Sequence, residues 1–242
     1  VPNDFRLKSA YGQGADWPIS YDDLEPFYGQ AEDEIGVSGD SASDLGSPRR
    51  APYPMGEIPQ TYLDKAYAKA LTGTIYDVRS TPQGRNSDTR DNRPPCCGNS
   101  SCIPVCPIQA KYDATVHVDR AVAAGAALHE QSTAVFVEVG ADRNVSAVLF
   151  KRWDGSEGRA TGKVFVIAAH AIEGPRLLLN SKSEATPNGA ANSSDQVGRN
   201  LMDHPTQLSW ALANDAVYPY RGPLSTSGIE NLRDGDFRKD RG

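Results

Sequence analysis

Apolar and polar positions along the 242-residue chain follow three rhythms, and each predicts a different kind of element. Leu24, Phe27, Tyr28, Ala31 and Ile35 recur at helical spacing and predict a helix from about Tyr21 to Ile35 with one buried stripe. Ser20 supplies its N-cap, Asp22 and Asp23 suit the positive end of the helix dipole, and Gly36 stands at the C-terminal cap. Further helices are expected over Tyr62–Leu71, stopped by Gly73, with Tyr62, Tyr67 and Ala70 as core, and over Ala114–Ala124 and Ile172–Leu179.

Ala134–Val139 and Val145–Phe150 read as paired strands about the turn Ala141-Asp142-Arg143-Asn144, with a short strand at Ala126–His129. Lys163–Ala169 is a continuous apolar run, the pattern of a strand covered on both faces, and it leads directly into the Ile172 helix as half of a βαβ unit. Residues 1–16 read as loop. Prolines at 48, 52, 54 and 59 forbid regular structure between the first two long helices. Residues 80–108 form a long loop dense in Pro, Gly and Asn, and loops of that length commonly carry function.

With 38% hydrophobic residues, the chain can build a core. Its 22 glycines and 17 prolines point to many turns. A formal charge of −6 without a basic stripe argues against nucleic acid as a partner. No stretch approaches the ~20 apolar residues of a membrane helix, and no secretory leader pattern opens the chain. The start at Val1 reads as the interior of a longer protein.

All four cysteines fall between Cys96 and Cys106. Disulfides in a chain this long usually join distant segments, so the clustering favours a local centre. Zinc and a disulfide remain alternatives. Thiolates on one Gly- and Ser-rich loop, with Pro107 directly after the last, favour an iron–sulfur group. Vicinal Cys96 and Cys97 point to opposite faces of extended backbone, so three ligands are expected: Cys96, Cys102 and Cys106, with Cys97 as the alternative or fourth. Three ligands suit [3Fe–4S] better than a cubane. Of the histidines, His117 is close enough to this loop to be considered beside it, and His129 reads as surface.

Three blocks carry a resemblance. Trp17-Pro18-Ile19-Ser20-Tyr21-Asp22-Asp23-Leu24-Glu25-Pro26-Phe27-Tyr28, Val166 through Leu179, and Val197-Gly198-Arg199-Asn200-Leu201-Met202-Asp203-His204-Pro205 each resemble stretches of the glucose–methanol–choline (GMC) oxidoreductases. The segment Arg93-Pro94-Pro95-Cys96-Cys97 through Cys106-Pro107-Ile108 is similar to the large catalytic subunits of bacterial FAD-dependent glucose, gluconate, sorbitol and fructose dehydrogenases.

The resemblance implies an α/β (α+β mixed) fold: part of an FAD-binding Rossmann-like domain with a partial substrate domain and a long cysteine loop. It divides the chain into an FAD-domain extension over 1–80, the cysteine segment 81–113, a second part of the FAD-binding domain over 114–205 and the start of a substrate domain over 206–242. It implies FAD near Ala134, Ala169, His170, Asn200 and His204. It further implies oxidation of a sugar or polyol CH–OH group, with electrons passing through [3Fe–4S] to a cytochrome or quinone. The implied partners are a small subunit and a multihaem cytochrome c subunit, in a periplasmic enzyme held at the inner membrane through a partner. No G-x-G-x-x-G occurs, and the catalytic base is expected beyond Gly242. A metal-binding or electron-transfer module without flavin is the alternative.

Overall fold

The computed structural model describes residues 1–241 and contains two compact units: Val1–Arg120 together with the segment from Ala211 onward, and Ala121–Trp210.

In the first unit a 3-10 turn (Pro2–Phe5) and α1 (Leu7–Tyr11) occupy the stretch expected to be loop. Gly12, left-handed at φ 78°, ends α1: its N–H reaches the Lys8 carbonyl and the Gln13 N–H that of Leu7. Helix α2 (Tyr21–Ile35) has the expected limits, with Ser20 and Asp23 forming a reciprocal capping box. Its buried face differs from the expected one. Glu25 is buried, whereas Phe27 and Tyr28 lie exposed. The inward face is turned by charge: Glu25 pairs with Arg50 at 3.1 Å, and Glu32 takes both ends of the Arg49 guanidinium. Helix α3 (Tyr62–Ala70) likewise forms where expected but leaves Tyr62 and Tyr67 exposed.

Strands β1 (Val78–Ser80) and β5 (Ser227–Ile229) pair antiparallel, Arg79 opposite Gly228. Beyond β1, Gln83–Asn86 runs extended between two neighbours. Ser38 and Gln83 exchange N–H···O bonds of 2.8 and 2.9 Å on one side. On the other, Asn86 N–H donates to Ala110 and Tyr112 N–H to Gly84, both at 2.8 Å. The two ends of the cysteine segment are therefore zipped together at a stem, just ahead of α4 (Thr115–Ala123). The innermost residues here are polar: Ser38 and Asn86 are almost fully buried, with Ala110 beside them. The unit closes with α6 (Arg238–Arg241).

The second unit is a three-stranded antiparallel meander, β2 (Ser132–Val139), β3 (Val145–Arg152) and β4 (Glu157–Ala160), with α5 (Glu173–Asn180) against it. The β2–β3 turn forms at the expected residues. Arg143 adopts φ 64°, and the Asp142 carboxylate accepts from Asn144 N–H at 3.1 Å. Strand β4 follows a Gly155 turn that carried no clear apolar signal. Register shifts leave Val135 as an extra residue in β2 and Ser146 as one in β3. The outer edge of β2 is covered where Val137 N–H donates to Ser181 Oγ at 2.9 Å.

Two expectations fail here. Ala126–His129 is not a strand, and Lys163–Ala169 is irregular, with Val164 and Val166 largely exposed. A two-sided apolar strand needs a hydrogen-bonding neighbour on at least one edge, and none pairs with this run among the described residues. The architecture is thus mixed α and β with antiparallel sheets; the expected parallel βαβ pairing is not found among the described residues. No helix of the described residues is long and apolar enough to cross a membrane.

Candidate functional site

The stem at Gly84–Asn86 and Ala110–Tyr112 holds the cysteine segment as a closed loop, and each sulfur meets a different environment. Cys102 is buried. Its carbonyl accepts from Lys111 Nζ at 2.6 Å, and its Sγ lies 3.6 Å from Nη2 of Arg85, itself buried. Cys106 is half-buried. Burial pushes its thiol pKa up, but the backbone N–H groups of Lys111, Ile108, Ala110 and Gln109 outweigh that and hold it below the usual thiol range. Gln109 turns left-handed at φ 54°, and its N–H closes on the Cys106 carbonyl at 3.1 Å.

Cys96 is half-buried. Its N–H is tied to the Asn86 carbonyl at 2.8 Å, and its sulfur accepts from Gly98 N–H at 3.4 Å. Cys97 is exposed and takes only the Asn99 side-chain amide at 3.3 Å. All four thiols are free. Among the described residues, no three His, Cys, Asp or Glu side chains converge closely enough to hold a metal ion, so Cys96, Cys102 and Cys106 are held near one stem without being gathered round one point.

Behind the loop lies a layer of arginines and asparagine that residue patterning missed. Asn86 donates to the carbonyls of Arg90 and Arg93 at 3.2 and 3.1 Å. Arg93 is buried over the Tyr112 ring, 3.7 Å from the Asp91 carboxylate, too long for a hydrogen bond. Accordingly its Nε and Nη2 have no hydrogen-bond partner. Tyr112 OH meets His117 Nδ1 at 2.9 Å, and His117 Nε2 lies 3.4 Å from Glu34, so His117 is linked to the stem. The signal that could have found this layer was arginine flanking the cysteines on the amino-terminal side, at 85, 90 and 93.

The residues expected near FAD belong to the second unit. Ala134 is exposed on β2 opposite Phe150, beside the bulge. Ala169 and His170 form the turn before α5 and line a shallow hollow of about 300 Å³ with Ala168, Ala171 and Gly174. The N-cap residue Ile172 offers no side-chain cap; its own N–H donates to His170 Nδ1 at 3.1 Å. Gly174 has nothing within 4 Å of where a Cβ would stand, so the hollow owes part of its room to that glycine. Small residues leave room at this helix start, but Gly174 N–H is bonded to the His170 carbonyl at 2.8 Å and Pro175 has no N–H, which leaves the Glu173 amide to meet a ligand. Neither Ala134, Asn200 nor His204 lines the hollow. Asn200 sits at φ 58°, and His204 is exposed with its N–H on Asp203 Oδ1. A larger apolar cavity of about 640 Å³, bounded by Val137, Val139, Phe165, Ile167 and Leu178, contains none of the expected residues.

Comparison with known proteins bears on these two sites. The chain is 40% identical over 99% of its length to the fructose dehydrogenase large subunit of Gluconobacter japonicus, covering 44% of that protein. It is 31% identical over 93% of its length to the 6'''-hydroxyparomomycin C oxidase of Streptomyces lividus, covering 43%. To the 2-methyl-1,2-propanediol dehydrogenase of Mycolicibacterium austroafricanum it is 28% identical over 84% of its length, covering 37%. The chain thus spans less than half the length of these curated relatives. Residues 72–206, which include the whole cysteine loop and the turn before α5, match the GMC oxidoreductase family model, and the chain belongs to the GMC oxidoreductase family.

Proposed function

We propose that this chain is the cofactor-binding part of an FAD-dependent dehydrogenase that oxidises a CH–OH group of a sugar or polyol and delivers the electrons to an outside acceptor through an iron–sulfur centre. The observation that carries the reading is the stem-closed loop with four free thiols, one of them buried against a guanidinium. That donor chemistry fits a thiolate-bound group.

When bound, FAD supplies the hydride acceptor for alcohol oxidation and the iron–sulfur group supplies one-electron exchange. The chain's own part is to hold and orient. The Ala169–His170 turn and the Glu173 amide at the start of α5 would lie beside the pyrophosphate, and by the family resemblance Ala134 would stand near the adenine. Asn200 and His204 stand toward the flavin side. Cys102 and Cys106 anchor the centre from the stem. Cys96 is preferred over Cys97 because its N–H is fixed to Asn86, whereas Cys97 opens to solvent. None of these groups is assigned as the base that takes the substrate proton. The likeness to a protein named as a large subunit supports a further subunit as partner; by the family resemblance the partners are a small subunit and a multihaem cytochrome c subunit, in a periplasmic complex held to the membrane by a partner.

Relatives named as oxidases frame the test. The protein, expressed with any flanking sequence its gene encodes, is mixed anaerobically with sugars and polyols while flavin absorbance is followed. Flavin bleaching by at least one of them, with turnover faster on a one-electron dye than on oxygen, is expected. Peroxide formation at the same rate as dye reduction would sink the electron-exporting reading.

A further inference from the structure

We infer that His170 is a phosphate-binding residue: its ring is held in the tautomer that carries the proton on Nε2, and that N–H donates to the pyrophosphate of the dinucleotide. This rests on the FAD reading above and extends it from the backbone of the turn to a side chain.

The turn before α5 offers an anion little backbone support. Gly174 N–H is taken by the His170 carbonyl at 2.8 Å, Ile172 N–H by His170 Nδ1 at 3.1 Å, and Pro175 has no N–H. One amide, that of Glu173, is left at a helix end where several usually point at a bound phosphate. Side-chain donors are as sparse. Among the described residues, His170 is the only one lining the hollow that carries a polar side chain. A pyrophosphate lodged there meets this ring or no side-chain donor of the lining.

The ring is suited to the task because its two nitrogens are told apart. A ring nitrogen that accepts from a backbone N–H carries no proton, and in neutral imidazole the proton then sits on the other nitrogen. Ile172 N–H on Nδ1 therefore makes Nε2–H a donor, and His170 makes no other side-chain hydrogen bond among the described residues. The residue is also fixed in place, since its carbonyl holds Gly174 in the first turn of α5 while its ring holds Ile172. The acid at this helix start does not repel the ligand unopposed: Glu173 accepts from Arg176 Nε at 2.7 Å, which offsets its charge. A neutral donor aimed at a charged phosphate oxygen makes a stronger bond than one between neutral groups.

The test uses the protein expressed with any flanking sequence its gene encodes. It compares FAD affinity by calorimetry, the phosphorus NMR spectrum of bound FAD, and the melting temperature of the apoprotein. The variants separate the two nitrogens: Asn keeps an acceptor near Nδ1, Gln extends a donor to the place of Nε2, and Ala supplies neither. His170→Ala is expected to weaken FAD binding about tenfold, the loss of one hydrogen bond to a charged group, and to shift the pyrophosphate resonances. His170→Gln recovers most of the affinity. His170→Asn keeps the native melting temperature without recovering it. Native affinity and unmoved phosphorus resonances in His170→Ala would overturn the inference while leaving the FAD reading intact. Full recovery by His170→Asn but not by His170→Gln would also overturn it, by making the ring only a tie for Ile172. A native protein that takes up no FAD overturns the FAD reading itself, and this inference with it.

Discussion

Ser181 shows how much one hydroxyl can carry in this fold. Fully buried, it accepts from Val137 N–H at 2.9 Å and donates to the Leu177 carbonyl at 2.6 Å, joining the edge of β2 to the last turn of α5. Ser181→Ala leaves the Val137 N–H buried without a partner, which costs about 1–3 kcal/mol. A lower melting temperature is expected, and an unchanged one would show that water or a shifted backbone replaces the hydroxyl. Legibility from sequence was uneven at this scale. The four cysteines announce themselves because thiols are rare and clustered. Arg85, Asn86 and Ser181 do not, since polar residues in a Gly- and Pro-rich stretch read as solvated loop until the backbone closes over them.

At the scale of elements, capping and turn chemistry were legible and burial was not. Ser20 and Gly36 fix the limits of α2 by local hydrogen bonds alone, which need no knowledge of the rest of the chain. Which face of α2 turns inward depends on Arg49 and Arg50, far along the sequence, and the apolar stripe misled. Helix α3 illustrates a link of the same kind. Asp64 caps Thr61 and also accepts from Thr226 and from Ser227 Oγ at 2.6 Å, tying α3 to the start of β5. Burial alone would raise the Asp64 pKa, but its bonds from Ser227, Thr226 and Thr61 prevail and lower it.

A carboxyl whose folded pKa is lowered stabilises the fold fully above its unfolded value, about 3.9. That contribution fades as pH falls from there through the folded value. Asp64→Asn is therefore expected to lower the melting temperature at neutral pH and to flatten its acid limb. Parallel acid limbs for both proteins would refute the assignment. Gly189 gives a steric counterpart. At φ 105° a Cβ would stand 2.7 Å from the Leu178 carbonyl oxygen, so Gly189→Ala should destabilise by more than about 1 kcal/mol in denaturant titration.

Over the whole molecule, the family-bearing blocks were readable while the pairing of the apolar run Lys163–Ala169 was not, because a strand is defined by its neighbour. Large apolar side chains remain open: Val164, Val166, Met202, Leu208, Trp210 and Leu212 are mostly or wholly exposed. Exposed apolar surface on this scale drives association. The 242-residue chain by itself is expected to bind a hydrophobic dye and to self-associate with rising concentration in sedimentation. A monodisperse, dye-silent monomer would contradict that.

The two sites proposed here, a cofactor-facing turn and a thiolate loop, stand or fall together as an electron-exporting enzyme only if the loop carries iron. The most direct measurement is therefore iron and sulfide content with EPR of the oxidised protein, for native protein and for Cys→Ser variants at positions 96, 97, 102 and 106. The account predicts a [3Fe–4S] signal that survives Cys97→Ser and is lost in Cys96→Ser, Cys102→Ser and Cys106→Ser. An iron-free protein with zinc or a disulfide on these cysteines would contradict it, leaving membership of the GMC family without the relay.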